Sequence, residues 1–102
     1  DKVEALKLMG TFFWLINKQK KALKYWVQSI SDAKKMGSSL ELSRTYFEVG
    51  KRLFEDKSKY TELNKINRKD YLLKARSAFK AMDLQQDLKD LEGFTAFNNI
   101  DI

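Results

Sequence analysis

Carboxylates, hydroxyls and ammonium groups carry what chemistry this sequence can offer, because it contains no histidine and no cysteine. That absence removes the imidazole base and the thiolate, and with them Cys-His and Ser-His-Asp nucleophiles and the ligands that dominate zinc sites. Acidic residues do fall in pairs, at Glu55 with Asp56 and at Asp87 with Asp90. General acid–base work by two carboxylates needs a cleft that pushes their pKa values apart, and the surrounding residues read instead as solvated helix surface. The hydroxyls of Thr11, Ser29 and Ser43 have no neighbouring base to activate them. The four glycines are isolated, so no phosphate-cradling loop is present. The expectation is a chain without catalytic function and without a cofactor or metal.

Basic residues are the stronger chemical feature. The segment NKQKKALK gathers Lys18, Lys20, Lys21 and Lys24, and Lys34 and Lys35 follow further along. With 20 Lys and Arg against 14 Asp and Glu, the formal net charge is +6. Such a cluster favours phosphates or an acidic surface. No helix-turn-helix pattern, RNA-binding aromatic signature or zinc finger accompanies it, and the aromatics fall on the apolar stripe rather than among the lysines. Binding of nucleic acid or of an acidic surface through Lys18–Lys24 therefore stands as the alternative function, with nucleic acid disfavoured as a partner beside a protein or peptide.

The elements that position these groups read as helices. A chain of 102 residues is at most one domain, and 43% apolar with 13% aromatic content supports a core. Absence of proline favours helix throughout. Val3, Leu6, Met9, Gly10 and Phe13 recur at intervals of three and four, predicting a helix over 3–16. After the polar break NKQK, Ala22, Leu23, Trp26, Ser29, Ile30 and Ala33 predict a second helix over 20–36, stopped by Gly37. Ser38 to Glu41 reads as a capping box for a third helix carrying Leu42, Tyr46, Val49, Gly50 and Leu53. Periodicity then lapses over 56–67, which reads as a long loop. Asn67 with Asp70 opens a fourth helix with Leu72, Ala75, Ala78, Phe79 and Met82 on its face. Asp83 with Gln86 reads as the cap of a short fifth helix within 83–92, ending before Gly93, and 93–102 is a tail without pattern whose apolar residues fold back, stay unordered or meet another chain. The fold class is all-α, with no strand. The longest apolar run, FFWLI, is far short of a bilayer span, and a chain without cysteine suits the cytoplasm.

The same order of small and large residues occurs twice. Gly10 and Gly50 each follow an apolar residue and precede a bulky one by three; Ala22 precedes Trp26, and Ala75 precedes Phe79, by four. Close approach of two antiparallel helices at Gly10 against Ala22, and at Gly50 against Ala75, would offset the helix cost of the glycines. In this order the sequence resembles the tetratricopeptide repeat family, whose motif runs over 34 residues as helix, turn, helix. Leu6, Met9, Gly10, Phe13, Ala22, Trp26 and Ser29 match its signature positions in a first repeat, 3–37. Tyr46, Val49, Gly50 and Leu53 match in a second, 38–82, where Ala75 and Phe79 follow only after about thirteen extra residues. The segment 83–92 resembles the terminal solvating helix of such arrays, giving a repeat domain over 1–92. The stretch 20–53 is also similar to the C-terminal repeat region of large bacterial signalling proteins, in which repeats follow a nucleotide cyclase, kinase or ATPase.

The resemblance implies a protein–protein interaction scaffold in a signalling protein, with Val3, Leu6 and their neighbours abutting a preceding repeat, or covered by homodimerisation through exposed repeat ends. It also implies a peptide groove along the first helix of each pair. On this chain the groove positions are Lys7, Thr11 and Trp14, then Arg44, Phe47, Lys51 and Phe54. Trp14 and Phe47 are either binding anchors or packing contacts with the neighbouring repeat. The family's carboxylate clamp is matched by Lys7, while Thr11, Glu48 and Lys51 do not supply its asparagines. The partner implied is a protein or peptide, acidic in character, or a neighbouring domain.

Overall fold

A computed structural model describes residues 1–102. Five helices account for most of the chain: α1 (Lys2–Leu15), α2 (Gln19–Met36), α3 (Ser39–Leu53), α4 (Arg68–Ala81) and α5 (Gln85–Phe97), with a two-strand hairpin, β1 (Glu62–Leu63) and β2 (Ile66–Asn67), ahead of α4. None of the helices is long and apolar enough to cross a membrane.

Local chemistry sets the boundaries. Asp1 Oδ1 accepts from the Glu4 amide at 2.8 Å and starts α1. Asn17, in the left-handed region at φ 66°, turns the chain into α2. Gly37, also at φ 66°, ends α2, with the Ser38 amide donating to Ala33 O and the Gly37 amide to Lys34 O, the Schellman arrangement. Ser38 then caps α3 through its Oγ, 3.4 Å from the Glu41 amide. Asn67 caps α4 reciprocally: its Oδ1 accepts from the Asp70 amide at 2.8 Å and its Nδ2 donates to Asp70 Oδ2 at 3.1 Å.

Successive helices pack side by side, α1 on α2, α2 on α3, α3 on α4 and α4 on α5, while α1 also meets α3. One core cluster holds Trp14, Ala22, Trp26, Ile30, Val49, Leu53, Leu63 and Tyr71; a smaller one holds Ala75, Phe79 and Leu91.

Three local expectations are corrected. The 56–67 segment is not a plain loop: Asn64 and Lys65, at φ 55° and 67°, form a two-residue turn of the kind that suits hairpin twist, pairing Glu62 with Asn67 and Leu63 with Ile66. The hairpin delivers Leu63 into the core, where its carbonyl accepts from Tyr71 Oη at 2.7 Å. Asp83 does not cap α5; it sits at φ 53° as the tight turn before Leu84, the cap residue, which offers no side-chain bond. Helix α5 then runs through Gly93 to Phe97, because burial of Leu91 and Thr95 outweighs one exposed glycine. The last residue is held as well, with Arg76 Nη1 donating to Ile102 O at 2.6 Å.

The glycines make room for large side chains. A Cβ on Gly10 would meet Trp26 Nε1 at 2.3 Å and Cδ1 at 2.4 Å, so the glycine seats an indole ring. At Gly50 the nearest atoms include Leu72 Cδ2 at 2.8 Å and Arg68 O at 3.2 Å. A small residue here makes room for a large one on the next helix.

Candidate interaction surface

Helix α1 presents three faces with separate duties. Its inner face carries Val3, Gly10 and Trp14, all buried against α2 and the core. Trp14 is therefore removed from the groove positions: its ring is fully buried, tilted 5.5 Å from Trp26, and its Nε1 donates to Glu55 Oε1 at 2.8 Å. Its size and its placement three residues after Thr11 fit either role, and burial decides for packing. Val3 is likewise internal, its carbonyl accepting from Ser29 Oγ at 3.1 Å, so it does not form an outward edge.

The second face meets α3, and here Thr11 and Lys51 come together around Glu48, which the motif comparison weighed only as a missing clamp asparagine. Glu48 accepts from Thr11 Oγ1, pairs with Lys51 Nζ at 3.2 Å and with Arg52 Nε at 2.9 Å. Arg52 continues to Glu55 at 2.8 Å, so the network reaches the residue that holds Trp14. Burial alone would raise the Glu48 pKa, but Lys51, the Thr11 hydroxyl and Arg52 together hold it below its ordinary 4.5. The sequence signs of this role were the Glu48–Lys51 spacing of three and the Glu48–Arg52 spacing of four.

Other groove positions are engaged as well. Arg44 forks onto Asp87 of α5, Nε at 2.7 Å and Nη2 at 3.2 Å, an arrangement that raises its already high pKa. Phe47 meets Phe79 and Phe94 edge-on at 6.2 and 6.1 Å, and Lys51 Nζ lies 5.0 Å over its ring. Phe54 is covered by the Arg68 guanidinium at 4.2 Å. Lys7 lends its carbonyl to Trp26 Nε1 at 3.2 Å. Six of the seven positions are thus half-buried, most of them occupied by partners within the chain.

The third face is open. Leu8, Met9, Phe12, Leu15 and Ile16 are 40–59% exposed, spaced as one stripe along α1. Met9, placed in the packing stripe by periodicity, belongs here. Beside this stripe, Phe12 meets Phe13 edge-on at 5.2 Å, Phe13 stacks on Tyr25 of α2 at 5.3 Å, and Lys21 Nζ sits 4.3 Å over Phe13. Leu6, Tyr25 and Gln28 with Lys20, Lys21 and Lys24 line a cavity of about 550 Å³ between α1 and α2. The exposed lysines at 18, 20, 21 and 24 form no ion pair, unlike Lys51 or Arg44. The stripe was legible as LMGTFFWLI, apolar nearly all round; which side stayed uncovered was not.

Nowhere do three or more acidic side chains gather as a metal-binding group. Among known proteins the chain matches no family model, no curated sequence and no solved structure.

Proposed function

We propose that this chain is a non-catalytic protein-interaction module, built as two tetratricopeptide-like helix pairs, α1 with α2 and α3 with α4, closed by α5. The observation that carries the reading is the uncovered stripe on α1, five large apolar side chains on a helix whose other faces are already packed. Exposed apolar patches of this kind mark association surfaces. Stacked helical repeats bury such faces on their neighbours.

Selection of displayed helical peptides on the immobilised full chain tests this. Recovered peptides are expected to lose binding to a Leu8→Lys/Phe12→Lys variant whose circular dichroism and Tm match the parent, since both sites are exposed. Recovered peptides that bind parent and variant alike refute the assignment.

A further inference from the structure

Resting on that interaction reading, we infer that the partner is an acidic amphipathic helix of another polypeptide, its apolar side on the α1 stripe and its carboxylates against Lys20, Lys21 and Lys24. The two halves of the surface are continuous. From the stripe, Phe12 leads to Phe13 and Tyr25 through ring contacts at 5.2 and 5.3 Å, and Tyr25 shares the α1–α2 cavity with Leu6 and the three lysines. An apolar strip bordered by lysines complements a helix whose apolar strip has an acidic border. The lysines are free to serve it, because they are exposed and no carboxylate of the chain pairs with them.

Three other occupants fit less well. Single-stranded nucleic acid combines backbone phosphates with bases stacked on open aromatic faces. Phe13 is already stacked on Tyr25 and capped by Lys21, and the aliphatic Leu8, Met9, Leu15 and Ile16 offer no stacking surface. A membrane-surface helix carries its lysines on its own polar face, whereas these lie on the neighbouring helix α2. A second copy would bring three more lysines toward a helix whose carboxylates are Asp1 and Glu4 alone, at its first turn.

The test uses the full chain and a synthetic helix of about 20 residues, long enough to fold on docking, with leucines at helical spacing along one face and glutamates beside them. Companion peptides replace every Glu by Gln, every Glu by Lys, or every Leu by Ser. Fluorescence anisotropy measures affinity, and amide chemical shifts locate the site. The Leu/Glu helix is expected to bind about tenfold more tightly than the Leu/Gln helix, as three partly exposed charge pairs allow, and to shift Phe12, Phe13, Lys21 and Tyr25. Lys20→Glu/Lys21→Glu/Lys24→Glu is expected to invert the preference toward the Leu/Lys helix.

Equal affinity for the Leu/Gln helix overturns the acidic partner while leaving the interaction module standing. Loss of all peptide binding to the stripe overturns both. The acidic assignment also falls if the Leu-to-Ser peptide binds as well as its parent, or if an oligonucleotide or anionic phosphatidylserine vesicles bind these lysines more tightly than the Leu/Glu helix. It falls equally if sedimentation equilibrium finds a dimer that Phe12→Lys dissociates.

Discussion

Alanine at Gly10 and at Gly93 should move stability in opposite directions, and the reason lies entirely in what each new methyl meets. Both glycines are inside helices, so both substitutions gain about 1 kcal/mol of helix propensity. At Gly93 nothing lies within 4 Å of the new Cβ, so the gain is kept. At Gly10 the Cβ would lie 2.3, 2.4 and 2.9 Å from three atoms of the Trp26 indole. That ring is fully buried, tilted against Trp14 at 5.5 Å and held by its hydrogen bond to Lys7 O at 3.2 Å, so it cannot swing away as a flexible chain end would.

Overpacking of a rigid core costs 1–3 kcal/mol and sometimes more. Overlap this deep belongs at or above the upper end, leaving Gly10→Ala destabilised by about 2 kcal/mol after the propensity gain. For a domain of this size that lowers Tm by about 8–16 °C, whereas Gly93→Ala should raise it by about 4–8 °C. Gly50→Ala falls between them, since Leu72 Cδ2 at 2.8 Å can rotate but Arg68 O at 3.2 Å cannot. Thermal unfolding followed at 222 nm ranks the three variants. A Gly10→Ala protein as stable as the parent would refute the helix approach at Trp26 on which the α1–α2 pairing stands.

The remaining predictions concern charge. Glu48→Ala should cost about 2 kcal/mol in urea unfolding, less than the 3–5 of a fully buried pair, because Arg52 keeps Glu55 and Lys51 can turn to water. The depressed pKa of Glu48 means that its stabilising contribution is present above pH 4.5 and lost as pH falls through its folded-state value, so Glu48→Gln should flatten the acid limb of the stability profile. Tyr71 titrates the other way: burial, with Tyr46 secondary, raises its pKa from 10.0 to about 12, so stability present below pH 10 should decline between 10 and 12. Tyr71→Phe should shrink that alkaline loss, while removing the bond to Leu63 O.

Helix content and its order were readable because the apolar spacing of three and four persists through each helix, and because Ser38, Asn67 and Gly37 punctuate it. What escaped was decided by contacts distant in sequence. Asn64-Lys65 is a weak hairpin signal without glycine, and only Leu63 docking beside Tyr71 makes it a hairpin. Helix α5 crosses Gly93 because Phe94 reaches Phe47, 47 residues earlier. Gln19 joins α2 to the segment after α3, its Nε2 donating to Lys57 O and its Oε1 accepting from the Lys59 amide, a pair of bonds that no periodicity encodes. Periodicity also placed the α1 stripe one step off, because LMGTFFWLI is apolar on both sides and spacing alone does not tell the buried face from the open one.

That ambiguity bears directly on where a partner can bind. To engage Arg44 a ligand carboxylate must displace Asp87 from a two-bond fork, and to engage Lys51 it must compete with Glu48, which Thr11 and Arg52 also hold. Each exchange trades one ion pair for another and gains little, since the released carboxylate is left beside the site. Lys20, Lys21 and Lys24 start without a carboxylate partner, and only the Lys21 contact over the Phe13 ring stands to be rearranged. The aromatic residues follow the same rule: Phe47 already spends its ring on Phe79 and Phe94, whereas Phe12 has half its surface in water. Burying Phe12 and its stripe neighbours yields about 25 cal/mol per Å² of apolar surface with no prior contact to break. On the proposed reading, the outer face of α1, rather than the side toward α3, is where association would release free energy.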